Sequence, residues 1–170
     1  QASWPTPCSN IGASADDLSG GAGDDTYVVT TGDTTTELAN EGIDTVMSGV
    51  AWTLAPNVEN LTLTGTGSVA GTGNALNNVL TGNSGTNALT GLAGDDTYFV
   101  TTGDTTVEQA NQGIDTVVAG VAWTLASNVE NLTLTGTSAI NGTGNASNNV
   151  LTGNAGNNTL DGLGGADTMI

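Results

Sequence analysis

The side chains of this chain that can do chemistry are almost all of one kind. Seventeen Asp and Glu residues stand in 170 without a single Lys, Arg or His, for a formal net charge of −17 at pH 7. Covalent catalysis needs a nucleophile beside a base, and Cys8, the one cysteine, has no His to activate it. Carboxylates alone can run glycoside hydrolysis, but that requires one pair at a set separation. Here the acids come in copies: Asp25 and Asp96, Glu37 and Glu108, Asp44 and Asp115 each lie 71 positions apart. Copying is the habit of structural ligands, so an enzyme is not expected. A folded chain that gathers carboxylates and owns no cationic side chain must take its positive charge from solution, and Ca²⁺ suits a site made of oxygens.

The same absence removes other partners. Phosphate contacts need Lys or Arg, which excludes nucleic-acid binding, and anionic lipid headgroups are no better served. No apolar run is long enough to span a bilayer, so membrane insertion is not expected. Charged residues make up only 10% and hydrophobic ones 36%, a balance unlike that of a highly charged disordered acid. With aromatics at 4% and 26 glycines, the chain lacks the large side chains of a thick core. It can build a thin one from Val, Leu and Ala between turns rich in Gly and Asn.

The elements that must position the acids are read from repetition. GDDTYVVTTGDTT from Gly23 returns as GDDTYFVTTGDTT from Gly94, and NVENLTLTGT from Asn57 returns unchanged from Asn128. A third copy opens at Gly153 and runs to Ile170. Within the long repeat is a shorter one: Leu80, Leu89 and Tyr98 are nine apart, each after a turn of Gly, Asn and Asp, residues that tolerate positive φ. The unit is a tight turn and a very short strand with one large apolar residue facing inward. Two units make a coil of eighteen, and four coils would take 72 residues, close to the 71 of the long repeat, which is then four coils with one irregularity. TVMSGVAWTLAPNVENLTLTG alternates apolar and polar residues as a half-buried strand does, and Trp52 and Trp123 fall in it as wall or core residues. The expected fold is all-β: a single right-handed parallel β-solenoid, β-roll-like, built from a 71-residue repeat. Residues 1–10 read as an N-terminal arm, 11–81 and 82–152 as two repeats, and 153–170 as part of a third.

One stretch carries a sharper motif. Gly20–Val28 reads GGAGDDTYV, a full match to GGxGxDxUx with U a large apolar residue. It resembles the repeats-in-toxin (RTX) family of secreted bacterial toxins, proteases, lipases and adhesins. The resemblance implies a parallel β-roll, an extracellular location, and Ca²⁺ held between turns of successive coils by carbonyls and by the Asp at the sixth position. Gly91–Phe99 keeps that Asp as Asp96 and Gly162–Ile170 keeps it as Asp167, but Leu92 and Leu163 replace the second glycine. Neighbouring units carry Asn78, Asn87, Asn149 and Asn158 at the Asp position. A spacing of eighteen pairs Asn78 with Asp96 and Asn149 with Asp167, so each expected site has one carboxylate and one amide oxygen. The metal candidates are therefore Asp25, Asp96, Asp167, Asn78, Asn149, Asn87 and Asn158. Stacked asparagines also have a metal-free reading, as a hydrogen-bonded ladder along the solenoid.

Two further expectations concern assembly. A solenoid exposes strand edges at its ends, and the rungs at Gly153–Ile170 and at Ile11–Val29 are alike. Head-to-tail self-association into an extracellular filament or surface layer follows, with a stalk or calcium-triggered folding module of a larger RTX adhesin or toxin as the alternative. Cys8 reads as an unpaired thiol in the arm or as a bridge to a second chain.

Overall fold

The computed structural model describes residues 14–170 and the backbone of the strand Cys8–Ser9. The side chain of Cys8 and the rest of the expected arm lie outside the described residues. Every strand pairing is parallel, and no helix occurs among the described residues. The chain is a parallel β-solenoid of about eight turns.

Its longest wall is a ten-stranded sheet in which each strand belongs to the next coil: Cys8–Ser9, Thr26–Val29, Thr45–Ser48, Asn60–Leu63, Val79–Thr81, Thr97–Val100, Thr116–Ala119, Asn131–Leu134, Val150–Thr152 and Thr168–Met169. Shorter sheets of two, four and three strands form the facing wall, among them Trp52–Thr53, Ala70–Thr72, Ala88–Thr90 and Thr105–Val107. Cys8–Ser9, inside the segment read as an arm, pairs with Tyr27 and Val28.

Register shows how the repeat is filled. Tyr27 pairs with Val46, Val46 with Leu61, Leu61 with Leu80 and Leu80 with Tyr98. Four coils thus separate the two tyrosines, and the irregular one is the short coil from Val46 to Leu61. It is shortened by a turn at Asn57, which takes φ 65°; Asn128 repeats this with φ 63°. Because side chains alternate across a strand, this register sends inward one column of Tyr27, Val46, Leu61, Leu80, Tyr98, Val117, Leu132 and Leu151, each at most 1% exposed, and a second of Val29, Ser48, Leu63, Val100, Ala119 and Leu134. Trp52 and Trp123 pack half-buried against that core.

Leu92 and Leu163 show what the second glycine of the motif does. Gly21 sits at φ 80°, and the leucines at the same position are forced to φ 77° and 65°, a region costing an L-residue roughly 1–2 kcal/mol. The stacked column overrides the local preference.

Leu132→Ala empties a buried column position and is expected to lower stability by about 2–5 kcal/mol. Val107→Thr, which installs the residue found at Thr36 in the first copy, is expected to change it by no more than about 0.5 kcal/mol. Urea denaturation in excess Ca²⁺ measures both; equal effects would contradict the inward column.

Candidate metal centre

The acids are placed by a ladder that runs along one turn of the solenoid. The backbone N–H of Asp25 donates to Asp44 Oδ1 on the next coil at 2.9 Å, and that of Asp44 donates to Glu59 Oε2 at 2.8 Å. The second copy repeats the steps from Asp96 to Asp115 and from Asp115 to Glu130, both at 2.9 Å. Asn78 and Asn149 donate to Asp96 Oδ1 and Asp167 Oδ1 at 2.6 and 2.9 Å. One carboxylate oxygen of Asp44, Glu59, Asp96, Asp115, Glu130 and Asp167 is therefore a register peg for the preceding coil.

Oδ2 of Asp25, Asp44 and Asp96 is buried and takes no hydrogen bond. Asp25, Glu37 and Asp44 bring ligand atoms within 4.8 Å of one another, and Asp96, Glu108 and Asp115 do the same. Glu37 and Glu108 reach these groups from beyond the nonapeptide, their backbone carbonyls held by the side-chain amides of Asn57 and Asn128 at 3.0 and 3.1 Å. A hollow of about 200 Å³ lined by Thr35, Thr36, Glu37, Ala55 and Pro56 opens beside Glu37.

The first glycine of the motif makes room. A Cβ on Gly20 would collide with the Asp25 carboxylate. At Gly91, the point a Cβ would occupy lies within 2.5 Å of oxygens from Asp96, Tyr98 and Glu108 at once.

The electrostatics are those of packed, uncompensated carboxylates. Burial first, then the nearby Asp44, pushes Glu37 from its ordinary 4.5 up to about 7. Burial likewise takes Asp96 from 3.8 to about 7 and Asp115 to about 6, with Glu108 adding to both. Asp44 and Glu108 are also raised, chiefly by burial.

The asparagines are used differently. Asn78 Oδ1 accepts the Asn74 N–H at 2.7 Å, while its amide donates to the carbonyls of Val58 and Glu59. Asn149 does the same with Asn145, Val129 and Glu130. Asn87 Oδ1 accepts from Asn83 N and its amide donates to Val69 O; Asn158 repeats this with Asn154 and Ile140. These are the contacts of a ladder. Eighteen-residue spacing does bring Asn78 beside Asp96 and Asn149 beside Asp167, through the backbone N–H. Asp167 is half-buried and has no acidic triad around it among the described residues.

Glu37, Asp44, Glu108 and Asp115 were not legible as ligands from the motif. The signal that finds them is the contrast between copies. Glu41 becomes Gln112 in the second copy, and both accept the same kind of backbone hydrogen bond, from Leu38 and from Gln109. Glu37 and Asp44 keep their charge in both copies.

The model of the RTX calcium-binding nonapeptide repeat matches in four copies, over residues 12–35, 72–107 and 143–170. The chain belongs to this family. Its cofactor is Ca²⁺. No curated protein and no solved structure matches it. The acidic triads fit the ion. Asp25 Oδ2, Glu37 Oε2, Asp44 Oδ2, Asp96 Oδ2 and Glu108 Oε2 are buried without a hydrogen-bond partner, and an orphaned buried oxygen is costly until a cation takes it. Ca²⁺ accepts six to eight such oxygens.

Proton linkage follows from the raised values. A carboxyl whose folded pKa exceeds its unfolded one binds protons more tightly in the fold, so it contributes stability at low pH that is lost as pH rises through the folded value. In chelator the protein is expected to be more stable at pH 5 than at pH 8, with the loss falling between about 4 and about 7. Glu37→Gln with Glu108→Gln should flatten that profile, and Glu41→Gln should not. Thermal melts in chelator across this range read the effect; parallel profiles for all three chains would contradict it.

Proposed function

We propose that this protein is a secreted structural module whose solenoid is assembled and held by Ca²⁺, and that it has no catalytic role. The observation that carries this reading is the pair of buried carboxylate triads, 71 residues apart, in a chain without Lys, Arg or His. Asp25, Glu37 and Asp44 in one repeat and Asp96, Glu108 and Asp115 in the next would hold the ion. When bound it supplies the positive charge these side chains need in order to be buried ionised. The acids join a motif turn to the following coil, so a cation shared between them fixes stacking as well as charge. In this reading the coil is right-handed, as parallel β crossovers are, and the 71-residue repeat is a four-coil module. RTX membership supports an extracellular location, where Ca²⁺ is plentiful.

Coil-on-coil growth is the basis of the proposed assembly. The outer edge of Thr168–Met169 has no strand partner among the described residues, and a parallel sheet grows at such an edge. A second copy stacking there head to tail makes a contact that does not close on itself, so it propagates into a filament. The alternative is a stalk or calcium-triggered folding module of a larger RTX adhesin or toxin, in which further coils of the same chain cover the edge. The unbroken register of the long wall suits either.

Far-UV circular dichroism at pH 8, first in chelator and then in excess Ca²⁺, tests the calcium reading: β content is expected to rise with the ion, and an unchanged, full β spectrum in chelator would sink it. Sedimentation and electron microscopy in Ca²⁺ test the assembly. Filaments are expected, while monomers at high concentration would leave the stalk.

A further inference from the structure

The inward column of the long wall that runs from Tyr27 to Leu151 is apolar at every fully buried position but two. Val46, Leu61, Leu80, Val117, Leu132 and Leu151 carry only hydrocarbon into the core, whereas Tyr27 and Tyr98 carry a hydroxyl, and both are fully buried. A buried hydroxyl must find a polar partner, and these two find one in the coils where the acidic triads lie. Tyr98 donates to Glu108 Oε1. Tyr27 accepts the Gly20 N–H at 2.7 Å, and that same N–H reaches Glu37 Oε1 at 3.3 Å. Above Gly91, oxygens of Asp96, Tyr98 and Glu108 converge on one point within 2.5 Å.

Packing alone does not explain the choice of tyrosine, because leucine fills the same column elsewhere. A hydrogen bond to glutamate alone does not explain it either, since Asp96 Oδ2 and Glu108 Oε2 remain orphaned beside the phenol. We propose that Tyr27 and Tyr98 are oxygen ligands of the cation held by the acids, so that each repeat has a core metal centre of three carboxylates and one phenol. This deepens the calcium reading of the same triads and rests on it.

At Tyr98 the phenol acts as a neutral ligand: it donates its O–H to Glu108 Oε1 in a hydrogen bond, which leaves the oxygen's lone pairs for the ion. Met169 takes the equivalent position in the third copy, next to Asp167, and brings no oxygen. The phenol thus separates the two complete centres from the Asp167 turn.

Terbium(III), a hard cation read by luminescence, is the probe. Bound to the whole chain it is expected to emit on excitation of tyrosine, and added Ca²⁺ should displace it. The chain carrying Tyr27→Phe and Tyr98→Phe keeps the rings in the core. The chain has no other tyrosine, so this variant gives the tryptophan background against which the wild-type tyrosine band is read. Its Ca²⁺ midpoint should rise about tenfold, the effect of losing one hydrogen-bond-strength contact to a charge. A wild-type excitation spectrum without the tyrosine band would overturn the proposal whether or not the variant folds. So would an unchanged Ca²⁺ midpoint in a variant that still folds on calcium; in both cases the calcium reading stands. A wild-type chain that neither binds Ca²⁺ nor folds on it would remove both.

Discussion

The acids this chain buries in its two clusters have to be neutralised from outside, because no side chain of the protein carries positive charge. Most soluble proteins meet a buried carboxylate with an arginine, a lysine or a set of backbone N–H groups. Here the N–H groups are partly committed to strand pairing, and the ladder supplies only one per acid. Six carboxylates in two clusters are left with more lone pairs than donors, and burial raises the pKa of five of them. A metal-free solenoid must hold protons or leave these sites loose. A divalent ion removes the conflict at one stroke, which makes the cation a part of the core.

The ladder explains how one residue can serve both the fold and the ion. A carboxylate has two oxygens. At Asp44 and Asp115 one oxygen accepts the N–H of the preceding coil and sets the stacking register, while the other points into the cluster. Asp104 shows the contrasting use. Its Oδ1 accepts the Asn87 N–H and its Oδ2 accepts the amide and hydroxyl of Thr101, so neither oxygen is orphaned. Chemically identical side chains, equally repeated, are thereby sorted into turn caps and ligands by what surrounds the second oxygen.

Asparagine occupies the same ladder with a different result. An amide offers two N–H groups where a carboxylate offers none, and Asn78 and Asn149 use theirs to tie down carbonyls of the coil before. Along the column the order is Asp25, Asp44, Glu59, Asn78 and then Asp96, Asp115, Glu130, Asn149, so one self-sufficient rung follows each run of acidic ones. Coils with asparagine need no ion to close their turns; coils with Asp25 and Asp96 do. The solenoid is in this sense part pre-organised and part conditional, and its conditional rungs recur once per long repeat.

The sequence alone determined the architecture, because a parallel solenoid is local physics repeated: a turn that tolerates positive φ, a short strand, one apolar side chain inward. The nine-residue spacing, the copies at 71 and the missing cations led to stacked coils and to Ca²⁺ without any long-range information. Asp25 and Asp96 were legible as ligands because the motif that holds them is contiguous. Their partners were not. Glu37 and Asp44 lie twelve and nineteen residues further on, and the distance between them in space depends on the length of the intervening coil, on the turn at Asn57 and on the register of the long wall. The tyrosine hydroxyl was hidden for a related reason: the motif asks only for a large apolar residue there, and whether its far end meets hydrocarbon or oxygen is decided by which coils stack above and below. Only the tertiary structure sets that meeting, since the oxygens come from segments that touch nowhere but in the assembled core.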